Sequence, residues 1–360
     1  MGKRIGTFGS ILIFLALVAF VFLLAKNFNT SYTVSRNPAT KEPPVIPKVS
    51  LDSIFTKQND LSKLDQKKLV TLDATGDVII GRGSNWPAVT SGNFNYNWEG
   101  TASFLKKADL TLINLESPLI VGCKLMTTGT TFCGDPRQVQ GLVFAGVDIA
   151  SIINNHIDNF GQAGREETER LFEKNNIGWT GFGHFELKNL KGIKFGFLAY
   201  NGVEASFPRD EMDSEIKEAK KKVDILVVSA HWGMEYELTP KPSGNVAPDD
   251  PKEIAHLIVD SGADLVIGNH PHTVQGVEIY KNKLITYAHG NFIFDQTWSQ
   301  ETQEGVVGEY IFYGKNLVNV KFHPTLVDVS YKPKFLNEKD GQHILDRMLD
   351  SSQQIASRNP

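Results

Sequence analysis

The feature that most restricts the fold is a rhythm of short apolar runs, each leading to a polar residue that can carry chemistry. Leu69–Asp77 closes on Gly76-Asp77, and Ala108–Asn114 leads to Glu116. Val147–Ile153 leads to Asn154-Asn155-His156, Val223–Ser229 to His231, and Ala263–Gly268 to Asn269-His270-Pro271-His272. Runs of this length, bounded by glycine or polar turns, read as strands. Between them lie helical stretches. Gly164–Asn175 is charged and amphipathic. Asp250–Ser261 puts Ile254, Leu257 and Ile258 on one face, with Pro251 suited to its first turn and Gly262 to its stop. Strands alternating with helices predict an α/β domain. Ile193–Tyr200 adds a strand, Val277–Tyr287 reads as a hairpin, and 306–313 and 317–331 read as antiparallel strands, so the sheets are expected to be mixed. Gly341–Ser357 reads as a surface helix closing a tail over 332–360.

The amino-terminal end differs. Ile5–Ala25 carries no charge, and its 21 residues suffice to cross a hydrocarbon core of ~30 Å. Lys3 and Arg4 precede it, which keeps the amino terminus cytoplasmic and the rest outside. A cleaved signal peptide is the rival reading; no small-x-small site follows the run directly, since Lys26-Asn27-Phe28 comes next. The expectation is a single-pass anchor over 1–26 in the cell membrane and an extracytoplasmic linker over 27–66 containing Pro38, Pro43, Pro44 and Pro47. A domain over 67–331 follows. The net charge is −4; beyond the anchor, 34 basic face 41 acidic residues. No basic stripe stands out along the sequence, so no nucleic-acid partner is expected. Cys123 and Cys133 lie in a Gly/Thr-rich loop. They are either a disulfide clipping that loop or two free thiols, because spacing alone does not fix geometry.

Sites in open α/β sheets form beyond the carboxyl ends of strands, where several strands deliver side chains to one crevice. Each donor alone has an ordinary reading: Asp77 as a capped turn, Glu116 as loop before Ser117-Pro118, His156 and His231 as satisfied structural histidines. Together the four histidines (His156, His231, His270 and His272), with Asp77, Glu116 and Asn155, form the donor set of a transition-metal site. Glu116 could bridge two ions, and His156 beside a ligating Asn155 could act as a general acid. Nitrogen and oxygen donors without thiolate suit Zn, Mn or Fe. His184, His256, His323 and His343 read as structural, and His289 is ambiguous.

In order, Gly76-Asp77…Gly81-Arg82, Asn114-Leu115-Glu116-Ser117-Pro118, Asn154-Asn155-His156, His231-Trp232-Gly233-Met234-Glu235-Tyr236, Gly268-Asn269-His270-Pro271-His272 and Gly290-Asn291-Phe292-Ile293-Phe294-Asp295 resemble the motifs of the CapA family of capsule-synthesis proteins. The family is linked to poly-γ-glutamate synthesis and export and is related to the calcineurin-like metallophosphatases. The resemblance implies a four-layer α-β-β-α sandwich with a two-metal site. Asp77 and His272 would hold the first metal, Glu116 would bridge, and Asn155, His231 and His270 would hold the second. His156 would sit beside them as proton donor. Arg82, Glu235 and Asn291 are expected on the substrate side, Arg82 gripping an anionic group by its fork. Two departures stand out. Metallophosphatases begin with Asp-x-His, whereas Ile79 follows Asp77-Val78 here. Most relatives carry His in place of Asn269 and an apolar residue in place of His289, which makes His289 a candidate replacement ligand.

Two ions ~3.5–4 Å apart would make a water nucleophilic near neutral pH, giving a metal-dependent hydrolase of an envelope polymer or phosphoester. The partners implied are the membrane, an anionic polymer such as poly-γ-glutamate, and subunits of a polymer synthase. A non-catalytic, metal-binding accessory subunit of that synthase is the alternative.

Overall fold

The computed structural model describes residues 45–358. The expected anchor over 1–26 and the linker as far as residue 44 lie outside them. Among the described residues no helix is long and apolar enough to cross a membrane.

After a short helix α1 (Leu51–Phe55), the chain lays down four parallel strands: β1 (Leu69–Val78), β2 (Leu110–Leu115), β3 (Ile149–Ser151) and β4 (Gly178–Thr180). Helices α2 (Arg82–Ser91), α3 (Ala102–Leu105), α4 (Val139–Ala145) and α5 (Gly161–Lys174) fall between them. A second sheet follows: β5 (Glu186–Leu190), β6 (Ile193–Asn201), β7 (Ile225–His231), β8 (Leu265–Asn269), β9 (Val277–Tyr280) and β10 (Lys283–Thr286), with α6 (Arg209–Lys220) and α7 (Pro251–Ser261) interposed. The chain then returns to the first sheet through β11 (Asn291–Ile293), a one-turn helix α8 (Gln300–Gln303), β12 (Glu304–Tyr313), β13 (Asn316–Val327) and β14 (Pro333–Phe335), and ends in α9 (Glu338–Ser357). The strand orders are β14-β13-β12-β1-β2-β3-β4, with β11 also on β1, and β5-β6-β7-β8-β10-β9. Both sheets are mixed, as the sequence predicts.

Three apolar clusters define the layers. Leu72, Leu112 and Phe312 of the first sheet meet Phe195, Val227 and Leu265 of the second. On the outer face of the first sheet, Ile113 and Leu115 pack on Leu105, Leu142 and Phe172 of α3, α4 and α5. On the outer face of the second, Leu226, Val228 and Val266 pack on Met212, Ile216 and Ile258 of α6 and α7. Burying such side chains is worth roughly 1.5–3 kcal/mol each. The strands are near-continuous apolar runs because both of their faces are covered.

Both expected domain limits move outward. Residues 45–66 are not all linker: Ile54 joins the core between the sheets, Val49, Leu51 and Phe55 pack against it, and Gln58 Nε2 donates to Val320 O at 3.1 Å. Four apolar side chains there outweigh the extended bias of the prolines just upstream. The tail is likewise part of the fold. The helix α9 buries Ile344, Met348 and Ile355, and its Ser351 and Ser352 hydroxyls accept from the amides of Gly276 and Val277 at 2.9 and 2.8 Å.

One irregularity positions the site. On β1, Val70, Leu72 and Ala74 face the second sheet. Strict alternation would turn Asp77 away from it. The pairing with β2 slips by one residue, from Ala74↔Leu112 to Asp77↔Asn114, so Asp77 faces the second sheet and Val78 joins the outer core. Gly76 sits in this bulge, where an added Cβ would lie 2.0 Å from Gly290 O. Only glycine lets the two backbones come that close.

Candidate metal centre

The carboxyl ends of β1, β2, β7 and β8 meet at one pole. Asp77 and Glu116 come from the first sheet, His231, His270 and His272 from the second, and all five are at most 2 % exposed. Their donor atoms form overlapping groups, each within 4.8 Å: Asp77, Glu116 and His272; then Glu116, His231 and His270. Glu116 is common to both, the position of a bridging carboxylate. A third group joins Glu235 to His270 and His272. Asn155 closes the second of these, with its Oδ1 2.9 Å from His231 Nε2. His231 Nε2 lies 3.4 Å from Glu116 Oε1, and His272 Nδ1 3.2 Å from Asp77 Oδ2.

The surroundings fit a cation. Both Glu116 carboxylate oxygens, His270 Nδ1 and Asn269 Oδ1 are buried without a hydrogen-bond partner. Leaving such groups unmade costs about 1–3 kcal/mol each, more for a charge, so a divalent ion is the natural partner. The backbone is strained at the same place. His270, His272, Tyr236 and Arg82 all have positive φ, at 99°, 59°, 64° and 46°. Non-glycine residues held there cost on the order of 1–3 kcal/mol each, and they cluster at functional sites.

Crowding sets the protonation states of the metal-free chain. Burial raises Asp77, but the hydrogen bond and charge of His272 outweigh it, and the carboxyl sits below its usual range. Burial, then the neighbouring Asp77, pushes Glu116 well above its usual range. Burial drives His231 down to about 3 and His270 well below its ordinary value, so both present neutral nitrogen lone pairs at pH 7. His272 goes the other way: burial lowers it, but Glu116 and Asp77 together lift it to about 9.

The model of the bacterial capsule synthesis protein family, PGA_cap, matches residues 71–296. This chain is a member of that family. It is 26 % identical over 270 residues to the capsule biosynthesis protein CapA of Bacillus anthracis, covering 67 % of this chain and 64 % of that protein. It is 29 % identical over 197 residues to the PGA biosynthesis protein CapA of Bacillus subtilis, covering 49 % of each. The matches thus span about half to two-thirds of those proteins' length. Among solved structures, a hypothetical protein from Thermus thermophilus superposes with a TM-score of 0.46 at 16 % identity, over 71 % of this chain and 98 % of that one.

Within this PGA_cap member the remaining expected site residues fall as follows. His156 is half-buried at the rim. Its Nδ1 lies 3.2 Å from Asn159 Oδ1, which also accepts from the Phe132 amide at 2.7 Å, and the Phe132 ring packs edge-on at 4.3 Å. Burial lowers its pKa to about 4. Asn291 is buried with its Oδ1 3.0 Å from His272 Nδ1, so it orients that ring rather than facing a substrate. Glu235 joins the donor cluster. Arg82 is not free to grip an anion: its Nε lies 3.1 Å from Asp295 Oδ2, its guanidinium is ion-paired with the same carboxylate, and its Nη1 donates to Gly129 O at 2.7 Å. Asp295 closes a matched motif, but nothing in the sequence pairs it with Arg82.

His289 is no replacement ligand. It is buried between Thr75 O, at 3.3 Å, and the Tyr310 hydroxyl, at 2.9 Å. Ile79 packs with Phe132 and Phe294, leaving no polar group there. The structural histidines are satisfied as expected, for example His256 by Glu278 at 3.0 Å and His323 by Glu309 at 3.0 Å. Sequence reasoning missed Asn114, whose Nδ2 donates to Asp77 Oδ1 at 2.8 Å and lies 3.5 Å from His231 Nδ1. Its signal was parity: it stands two residues before Glu116, on the same face of β2.

Proposed function

We propose that this capsule-family member is a membrane-anchored, extracytoplasmic hydrolase that uses two divalent ions on an anionic envelope polymer of the poly-γ-glutamate kind, on a sandwich of metallophosphatase type. The observation that carries the reading is the pair of buried donor groups sharing Glu116, its oxygens otherwise unpartnered. The names of the Bacillus relatives support the polymer.

Asp77 and His272 would hold one ion, His231, His270 and Asn155 the other, with Glu116 between them and Glu235 beside the histidine pair. Bound there, the ions supply Lewis acidity and an activated water. The chain's own residues do the rest. Asn114 and Asn291 orient Asp77, His231 and His272. Asn159 engages His156 Nδ1 and leaves Nε2 to carry a proton to a leaving group. A substrate anion against that ring raises its low pKa towards the working range. Phe132 and Phe294 keep water from the rim.

The test is turnover of poly-γ-glutamate and of phosphodiesters by the purified protein with Mn or Zn. His156→Ala should lower kcat by about 10²–10⁴-fold with metal content unchanged. Metal-loaded protein with no turnover of either substrate would remove the hydrolase reading.

One observation favours a second reading, a non-catalytic accessory subunit of a polymer synthase. The fork of Arg82 is closed by Asp295, so the metals alone would attract a polyanion. A relative from Mycobacterium tuberculosis, 24 % identical, bears the name probable polyglutamine synthesis accessory protein. Full polymer formation by cells carrying His156→Ala would select this reading.

A further inference from the structure

The pole opposite the metal centre is positively charged. The parallel strands of both sheets end at the centre, so their amino ends meet at the far pole, about 26 Å away along β1. Two lysines tie the sheets together there. Lys191 Nζ, in the β5–β6 turn, donates to Leu69 O at 2.6 Å, and Lys315 Nζ, in the β12–β13 turn, reaches Asp224 Oδ1 at 2.7 Å.

Six exposed lysines around these contacts make no ion pair among the described residues. Lys67 and Lys68 stand ahead of β1, Lys106 and Lys107 ahead of β2, Lys194 at the start of β6, and Lys222 ahead of β7. The pole's carboxylates offset them only in part: Asp109, Asp224, Asp260 and Asp264 each already hold another lysine, and Asp65 and Asp148 accept from the backbone amides of Lys67 and Thr111 and pair with no lysine among the described residues. Helix dipoles account for only part of the pattern: Lys106, Lys107 and Lys222 follow helix ends, Lys67 and Lys68 close a single 3-10 turn too short to carry an appreciable dipole, and Lys194 follows no helix. The excess is the more pointed in a chain with 37 basic and 41 acidic residues overall.

The chain also joins the folded unit here. Ile46, Pro47, Lys48 and Val49 line a depression with Lys315 of the β12–β13 turn and with Lys283 and Leu317 at the starts of β10 and β13, at this same pole. The described chain thus enters the fold, from residue 45 on, at this basic end.

We propose that this pole is a docking face for the headgroups of an anionic bilayer, with the metal centre turned away from the lipid. Charge complementarity and the point where the chain enters the fold select lipid over other polyanions. Lysines near an anionic surface are drawn to it within about a Debye length, and salt weakens the attraction. The proposal does not depend on the hydrolase reading.

The experiment uses the full chain with vesicles of phosphatidylcholine, alone or with phosphatidylglycerol. Flotation reports attachment. Amine-reactive labelling read by mass spectrometry reports which lysines the surface covers. On anionic vesicles the six lysines should lose labelling by about threefold or more, and regain it in high salt, while Lys124 and Lys241 on the metal-centre loops label equally throughout. Equal labelling on both vesicle types, with the chain floating, overturns the docking face and leaves the anchor standing. No flotation with either removes both. Protection by soluble poly-γ-glutamate but not by vesicles overturns the lipid assignment in favour of a polymer-binding face.

Discussion

At the scale of single residues, the least comfortable group outside the centre is Asp73. It is 2 % exposed on β1, opposite Glu309 of β12, and its Oδ1 has no partner. Burial, then the charge of Glu309, pushes its pKa up to about 8. An unfolded aspartate titrates near 3.9, so the folded chain holds this proton over a window where the unfolded chain has lost it. Stability from this group is therefore complete below pH ~4, falls as pH rises to about 8, and is flat above. Asp73→Asn keeps the shape without the charge. Urea unfolding should show it more stable than the parent by on the order of 5 kcal/mol at pH 8.5, and nearly equal at pH 4. An equal effect at both values would mean that Asp73 is ionised throughout. The candidate metal donors were legible at this scale because each closes or closely follows an apolar run, although the bulge that turns Asp77 inward was not. The Arg82–Asp295 pair was not legible either, because a partner 213 residues away leaves no local trace, and Asn114 showed only in its spacing from Glu116.

At the scale of elements, the bulge in β1 and the disulfide loop make separable predictions. Gly76→Ala must push β1 off β11, whose pairing Asp77↔Asn291 aligns two site residues. It should cost about 3 kcal/mol or more and weaken metal binding together with stability, as thermal melts with and without Mn would show. The loop behaves differently. Cys123 and Cys133 are bonded, with their Cα atoms 5.8 Å apart. The bond clips the loop that carries Phe132 onto His156 and offers Gly129 O to Arg82. No metal donor lies in it. Replacing both cysteines by serine should lower stability by about 3 kcal/mol through the freed unfolded chain, and loosen Phe132, while metal stoichiometry stays at the parent value. Loss of metal with the disulfide would show that the loop, not the strands, builds the centre. The strands β1, β2, β3, β6, β7, β8, β12 and β13, the hairpin of β9 and β10 and the helices α5, α7 and α9 could be read from periodicity, whereas the order of the strands in the two sheets could not. Helices α2, α3, α4 and α6 could not: α2 carries an internal proline, α3 is a single turn, and α6 is dominated by charged residues.

At the scale of the whole molecule, the two sheets are held together by an apolar core through most of their area and by ionisable donors at one pole. The core was foreseeable from the strand patterns. The basic pole was not, because its lysines are scattered over the sequence and only the crossing of the strands collects them. A metal bound at the donor pole would be a staple between sheets: Asp77 and Glu116 belong to one, His231, His270 and His272 to the other. A ligand that binds only the folded chain stabilises it by mass action, about 2.7 kcal/mol at a hundred times its Kd. Chelation should therefore lower the Tm by several degrees, and added Mn or Zn should restore it. The pH dependence has a definite sign. In the metal-free chain, His272 near 9 against about 6.5 unfolded contributes stability that is full below pH 6.5 and is lost as pH rises through 9. Metal must displace that proton, so its affinity, and the Tm gain it brings, should increase across the same interval. Calorimetric titration in two buffers of different ionisation enthalpy would reveal proton release on metal binding at pH 7.5, from His272 and from the raised carboxyl of Glu116, and His272→Asn should lower the release by about one proton per chain. Tight binding with no proton released would place the ions away from His272 and break the pairing of Asp77, Glu116 and His272 on which the two-metal arrangement rests.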